Sequence, residues 1–260
     1  MKTIREPEAI FKPLLEQFCS ETKDVSIGDD FPSIFLPHVM KEYETAEKKI
    51  FYFGQDTSGW TSTRELMEKY TSNALSNYIN ETSEWINENG YLDYNENKAF
   101  GFWTLVAKLH LRMKGITNVN GIGAAFYNDE NLQLLNDFGY GNTNSIEIKE
   151  SLIRRKKWDN IDQSKYWVIK EKSKIFDKLK HTIDVYNPDL IFIFNWGCNH
   201  TLFLEGLSYD IEKYELFNNH FWVVKLKDTN TKIIWTLHPN NLKFQGYSVN
   251  ELIDKIVDYV

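Results

Sequence analysis

The stretch IFYFGQDTSGW, residues 50–60, begins as an apolar, aromatic run and becomes polar immediately after Gly54. A short continuous apolar run is typical of a strand that is buried on both faces, as in a parallel sheet. The stretch DLIFIFNWG, residues 189–197, repeats the pattern and is the strongest buried-strand signal in the chain. Together these two stretches predict the centre of a mainly parallel sheet.

Helical patterns alternate with the predicted strands. Helices are predicted for IFKPLLEQF, TRELMEKYTSNALSNYI, FGFWTLVAKLHLRMKG and VNELIDKIVDYV, and one long helix for KYWVIKEKSKIFDKLKHTIDVY. Further strands are predicted for SIEIK and for HFWVVKL and TKIIWTLHP, which flank a turn and suit a hairpin. This order predicts an α/β fold. We expect one domain over 1–260, in which residues 1–45 form a helical lead-in.

Composition limits the class of protein. The chain has 260 residues, 42% of them hydrophobic, and contains no apolar run long enough to cross a membrane. The first residues show no signal-peptide pattern, so we expect a cytoplasmic protein. Cys19 and Cys198 form no CxxC pair and the six histidines are scattered, so we expect no metal or other cofactor. No protein partner is indicated, and we expect a monomer.

The net charge of −7 argues against a protein that coats nucleic acid electrostatically. One basic run, RRKKW at 154–158, is an exception to this negative net charge. It is either a solvated surface or a local contact for a phosphate backbone.

Three predicted strands end in polar sequences: GQDTSGW, NWGCNH and HPNNLKF. Ligands of open α/β sheets bind beyond the carboxyl ends of the strands, so these sequences predict one shared rim. Asp56 and His238 would meet there. The pattern alone therefore indicates an α/β enzyme with an Asp/His site.

These strand ends resemble the uracil-DNA glycosylase superfamily. In its uracil-specific branch one strand ends in Gly-Gln-Asp-Pro-Tyr-His and a later one in His-Pro-Ser-Pro-Leu-Ser. Here the corresponding sequences are GQDTSG at 54–59 and HPNNLK at 238–243, with IFIFNWG and YGNTNSIEI between them. The resemblance covers roughly residues 45–245. It implies a three-layer α/β/α sandwich with a central, mainly parallel, four-stranded sheet.

The resemblance implies a monofunctional DNA glycosylase, a hydrolase that flips a pyrimidine and cleaves its N-glycosidic bond to leave an abasic site. Asp56 would stabilise the sugar cation and orient water, and His238 would donate to the departing base. No cofactor is implied. Gln55 would line the pocket, and either Asn142 or Asn144 would read the base.

The remaining matches concern DNA. Leu242 stands where the family inserts a leucine into the duplex; the alternative is a packed loop residue. Asn240 replaces the phosphate-binding serine, and the basic run, if it is not only a solvated surface, would supply further backbone contacts through Arg154, Arg155 and Lys156, with Trp158 stacking nearby. We expect DNA, duplex or single-stranded, as the partner.

Ser58 replaces the family's tyrosine, which closes the C5 side of the base. A smaller side chain leaves room there, so the substrate is either uracil or a cytosine with a bulky C5 substituent, as in some phage DNAs. The role is then either DNA repair or antiviral defence. Two alternatives remain: a non-catalytic module that binds modified bases, and an α/β enzyme that acts on free nucleosides.

Overall fold

The computed structural model describes residues 6–25, 31–56, 62–81, 100–116, 134–195 and 200–260. The described strands form one seven-stranded sheet in the spatial order β1-β3-β2-β4-β7-β6-β5. Their bounds are β1 His38–Val39, β2 Ile50–Gly54, β3 Phe138–Asn142, β4 Leu190–Phe194, β5 Tyr209–Tyr214, β6 Phe221–Leu226 and β7 Lys232–Thr236.

The centre of the sheet is parallel and its two margins are antiparallel. Strands β3, β2, β4 and β7 run in the same direction, whereas β1 at one margin and β6 and β5 at the other run against their neighbours. The α/β class is therefore confirmed, but the expected number of four strands is wrong for the whole sheet. The predicted hairpin is present as β6 and β7. Strand β5 was missed because most of its residues are not buried, so it lacks an apolar run.

Helices cover both faces of the sheet. Their bounds are α1 Pro7–Thr22, α2 Thr63–Thr71, α3 Phe100–Met113, α4 Lys149–Arg154, α5 Gln163–Ser173, α6 Leu179–Tyr186, α7 His200–Phe203, α8 Pro239–Phe244 and α9 Val249–Val257. Residues of α1, α2, α5 and α6 pack into a first core cluster, and residues of α3, α8 and α9 into a second. Within the described ranges, no helix is long and apolar enough to cross a bilayer.

Two sequence predictions are corrected between β3 and β4. SIEIK is not a strand: β3 ends at Asn142, and the chain bends before α4 begins at Lys149. The single long helix is two helices, α5 and α6. The break buries Phe176 and brings the Asp177 carboxylate to the backbone N–H of Ser145, at 2.6 Å. Both departures depend on this contact between distant segments, which periodicity does not report.

Aromatic rings of β2 lie over glycines of β3. A Cβ on Gly139 would stand 2.1 Å from ring atoms of Phe51, and one on Gly141 would stand 2.6 Å from the ring of Phe53. The two rings stack on each other with centroids 5.2 Å apart. The sequence FGYGN in β3 therefore supplies the space that IFYFG in β2 fills.

We expect Gly139→Ala to lower the free energy of unfolding by about 1–3 kcal/mol, because the new methyl group overlaps the Phe51 ring. Urea denaturation measures the change. Adding Phe51→Leu relieves the overlap, so the double variant should lose less stability than the sum of the two single variants. Additive losses would show that the ring does not limit this position.

Candidate functional site

The ends of the four parallel strands meet at one edge of the sheet. In the strand register Gly54 pairs with Asn142, and Phe194 pairs with Thr236. The residues that follow these positions therefore emerge side by side. This places the segments that contain Asp56 and His238 at the same edge, on either side of the end of β4.

Polar side chains bind these strand ends to one another. The backbone N–H of Thr143 donates to the carbonyl of Gly54 at 3.0 Å, and its hydroxyl contacts the carbonyls of Gly54 and Gln55. Asn144 donates twice to the Gln55 carbonyl, from its backbone at 3.0 Å and from Nδ2 at 2.9 Å. Asn195, beyond β4, donates from Nδ2 to the Thr143 hydroxyl. The ends of β2, β3 and β4 are thus held together by side chains that sequence analysis had not assigned to this role.

The Asp56 carboxylate is half-buried and is bound by the segment that leads into α4. Its Oδ2 accepts from the backbone N–H of Ile148 at 3.0 Å, and the Ser151 hydroxyl also binds it. Burial raises the pKa of Asp56 above its ordinary value. These two hydrogen bonds and the charges of Arg154 and Lys170 act in the opposite direction, towards the ionised form.

His238 is the N-cap of α8. Its Nδ1 accepts from the backbone N–H of Asn240 at 3.3 Å, which assigns the ring proton to Nε2. The ring lies nearly parallel to Phe102 of α3, with an interplanar angle of 14° and centroids 6.3 Å apart. Burial, followed by the positive charge of Arg154, lowers the pKa of His238 to about 4. At neutral pH the ring is therefore an uncharged hydrogen-bond donor.

Arg154 connects these two groups. Its Nη2 donates to the Ser151 hydroxyl at 2.8 Å, and its charge favours both an ionised Asp56 and a neutral His238. The motifs indicate Arg154 as a DNA contact and give no role to Ser151. The two residues are three apart in α4, which puts them on one helical face. The sequence does not reveal this relation, because SIEIK, which leads into α4, has the alternating pattern of a strand.

The two candidate asparagines have different surroundings. Asn142 is only 6% exposed, and its Oδ1 accepts from the Tyr140 hydroxyl at 2.9 Å. A Cβ on Gly54 would stand 3.0 Å from that oxygen and 3.4 Å from the Phe102 ring, so Asn142 lies on the side of the sheet that carries His238. Asn144 is occupied at both ends of its amide by the Gln55 carbonyl and Lys170. Asn142 is the one whose side chain faces the site.

Leu242 does not stand at the surface. It belongs to α8 and is 0% exposed, packed in the second core cluster, so the prediction of an inserting leucine is corrected. The helical turn of α8 directs Leu242 inwards and leaves Phe244, two residues later, 86% exposed. Ser58 lies outside the described residues, as does the Trp196–Gly197 pair.

The basic run divides into residues of different kinds. Arg155 forms two hydrogen bonds with the buried carboxylate of Glu147, at 2.7 and 3.0 Å, so its charge is compensated. Arg154 and Lys156 are exposed. Trp158 is buried in the first core cluster, so the expectation that it stacks on DNA is wrong. Asn240 is exposed beside His238, as a phosphate contact would require.

Comparison with models of protein families, with curated proteins and with solved structures finds no match to this chain. Among the described residues, no three His, Cys, Asp or Glu side chains are grouped in a way that could hold a metal ion. The assignment of a function therefore depends on the chemistry of the Asp56–Arg154–His238 arrangement and on the sequence resemblance.

We expect imidazole ¹⁵N NMR to show His238 as the Nε2–H tautomer with a pKa of about 4. Arg154→Gln should raise that pKa, because a nearby positive charge no longer opposes protonation. The matched control is Lys156→Gln, a change of the same charge two residues away. A pKa near 6.5 in the unmodified protein, or no response to Arg154→Gln, would contradict the arrangement.

Proposed function

We propose that this protein is a DNA glycosylase that hydrolyses the N-glycosidic bond of a flipped pyrimidine. The observation that carries the proposal is the pairing, at one edge of a parallel sheet, of a partly buried carboxylate with a neutral histidine donor. A single arginine charge favours the reactive form of both. The GQD and HP motifs that supply these residues resemble the uracil-DNA glycosylase superfamily, and the sheet has the α/β class that the proposal requires.

Asp56 suits the sugar side of the reaction. Departure of the base leaves positive charge on the deoxyribose ring, which an ionised carboxylate stabilises. The same carboxylate can orient the water that attacks C1′ and accept its proton. The hydrogen bonds from Ile148 and Ser151 hold the carboxylate in place and favour its charged form. As the pH falls through the raised pKa of Asp56, the proposed activity should be lost.

His238 suits the base side. Negative charge develops on a ring oxygen of the departing pyrimidine, and a fixed donor stabilises that charge more in the transition state than in the substrate. Because the ring is neutral, it can donate from Nε2 without transferring its proton. The hydrogen bond from Asn240 to Nδ1 keeps this tautomer.

Asn142 and Phe102 are the proposed contacts to the base itself. An asparagine amide carries a donor and an acceptor, the groups that match the edge of a pyrimidine. Its Oδ1 already accepts from Tyr140, but a carbonyl oxygen has two lone pairs and can accept a second hydrogen bond. Phe102 presents an aromatic ring between Gly54 and His238. Asn142 and Phe102 both lie against Gly54, since a Cβ at that position would stand 3.0 Å from Asn142 Oδ1 and 3.4 Å from the Phe102 ring.

Phe244 takes the role proposed from sequence for Leu242. It is a large, exposed apolar side chain on the helix that begins at His238. Flipping a nucleotide breaks stacking with its neighbours at a cost of a few kcal/mol, and an apolar side chain that contacts those neighbours offsets part of it. Leu242 instead packs in the second core cluster, on the buried side of α8.

Uracil and cytosine with a bulky C5 substituent remain the two proposed substrates. Both fit the chemistry of Asp56 and His238, and they differ in the room required at C5. Ser58 in place of the family's tyrosine favours the larger base. Excision of a hypermodified base from phage DNA would make the protein a defence enzyme, whereas excision of uracil would make it a repair enzyme.

We expect Asp56→Asn and His238→Ala each to reduce kcat by ~10²-fold or more, because each removes a group that stabilises transition-state charge. The assay is alkaline cleavage at abasic sites in labelled DNA. The DNA would contain uracil, thymine opposite guanine, 5-hydroxymethylcytosine or its glucosylated form. Asp159→Asn is the matched control, an exposed aspartate changed in the same way.

Full activity in both site variants would contradict the assignment of Asp56 and His238. Absence of abasic product from the unmodified protein on all four substrates, with binding retained, would indicate the non-catalytic module. Cleavage of free nucleosides without preference for DNA would indicate the third alternative.

Phe244→Ala should reduce excision from duplex DNA more than from single-stranded DNA, because the exposed side chain acts on stacked neighbours. It should leave thermal stability nearly unchanged. Leu242→Ala should instead lower the free energy of unfolding by about 2–5 kcal/mol, as expected for a buried leucine. Excision kinetics and urea denaturation of the two variants separate the roles. A duplex-specific defect in a stably folded Leu242→Ala variant would restore the original prediction.

A further inference from the structure

Positive charge is concentrated in one part of this acidic protein. Residues 149–174 contain nine basic and four acidic residues, whereas the whole chain carries a net charge of −7. Some of these cations are compensated, as Arg155 is by Glu147. Lys149 and Lys156 form no ion pair within the part of the chain that the structure describes, whereas the charge of Arg154 acts on the Asp56 carboxylate. The segment thus presents uncompensated positive charge.

An exposed tryptophan lies in the same segment. Trp167 of α5 is 54% exposed, but its ring is in contact with two other aromatic rings. Tyr166 and Trp158 meet it in edge-to-face contacts, with ring centroids 5.0 and 6.2 Å away. Such contacts fix the orientation of an aromatic ring. The exposed part of Trp167 is therefore held in a fixed orientation, in which a planar group can stack on it.

The charge and the tryptophan adjoin each other and the candidate site. The Lys149 ammonium lies 5.2 Å from the centroid of the Trp158 ring, which also contacts Trp167. Lys149 begins α4 directly after Ile148, whose N–H binds Asp56. Lys156 is exposed and lies two residues before Trp158 in the chain. A cationic and aromatic surface therefore extends from the Asp56 side of the site towards α5.

We propose that Lys149, Lys156 and Trp167 form a binding surface for single-stranded DNA next to the target nucleotide. We call it the α4–α5 surface. Cations bind phosphates without regard to sequence, and an indole ring stacks on any unpaired base. In a duplex the base faces are covered by one another, so Trp167 finds a partner only where the strand is unpaired. The inference rests on the proposed function for its location, and it names single-stranded DNA as the favoured form of substrate.

The test measures binding of a fluorescently labelled oligo(dA) to the full chain by anisotropy at several salt concentrations. Adenine is not a pyrimidine, so the measurement does not depend on excision. Trp167→Ala should weaken binding about tenfold, and Trp167→Phe, which keeps a stacking ring, should weaken it less. Lys149→Gln should reduce the slope of log K against log[salt] by about 0.7, the value for one phosphate contact on a single strand.

Two matched controls accompany these variants. Val168→Ala removes exposed apolar surface from the adjacent position of α5, which points about 100° away around the helix. Lys255→Gln removes a charge from α9, which packs on the other face of the sheet. Both should bind as the unmodified protein does. Circular dichroism confirms folding, and Lys149→Gln tests the surface even if Trp167→Ala is unstable.

Affinity unchanged by both Trp167→Ala and Lys149→Gln would overturn the proposal, as would failure of the unmodified protein to bind oligo(dA). Equal binding of single strand and duplex, with an equal effect of Trp167→Ala on both, would overturn the preference for a single strand. The proposed excision fails in a different way: binding would persist while no abasic product forms. The two failures are therefore distinguishable.

Discussion

The arrangement of the site depends on how closely β2 approaches β3. Phe51 and Phe53 occupy the space above Gly139 and Gly141, and this contact accompanies a register in which Gly54 lies beside Asn142. From that pairing the two strand ends leave the sheet together, and Thr143 and Asn144 can bind the carbonyls of Gly54 and Gln55. A different register would move every one of these groups, because a shift of one residue turns each side chain to the opposite face.

Burial is the main cause of the pKa shifts of Asp56 and His238. Withdrawing a carboxylate from water favours its neutral form, and withdrawing an imidazole does the same. In the proposed reaction His238 acts in its neutral form, which burial and the charge of Arg154 favour. The proposed reaction requires an ionised Asp56, and two hydrogen bonds and two nearby cations favour that form. Arg154 acts on both groups, because its positive charge favours the ionised form of Asp56 and disfavours protonation of His238.

The two faces of the sheet contribute different parts. His238, Phe102 and α8 pack with the second core cluster, whereas α4 and α5 pack with the first. The candidate site lies at the edge where these faces meet. Groups proposed to contact the base come from one side, and the α4–α5 surface comes from the other. The cations of the proposed surface are thus confined to one side of the site, although the protein as a whole is acidic.

The α/β class, the strands β2, β4, β6 and β7 and most helices could be predicted from sequence, because continuous apolar runs and helical periodicity are local properties. The position of Asp56 and His238 at the ends of strands could also be predicted, since each follows a continuous apolar run. The strands β1, β3 and β5, the bend after Asn142 and the break between α5 and α6 were not. Strand β1 has only two residues, β3 is interrupted by two glycines, and β5 has no buried residue. The bend and the break are joined by a contact between distant segments, which a local pattern does not report.

What the sequence determined by itself is therefore the order of elements and the chemical groups at the strand ends. Only the tertiary structure decided the surroundings of those groups. It placed Asn142 and Asn144 in different surroundings, buried Leu242 and Trp158, left Phe244 exposed and brought Ser151 and Arg154 to Asp56. The physical reason is that exposure and hydrogen bonding belong to the packed molecule: two residues in one helix, or two asparagines in one turn, differ only after their neighbours are in place.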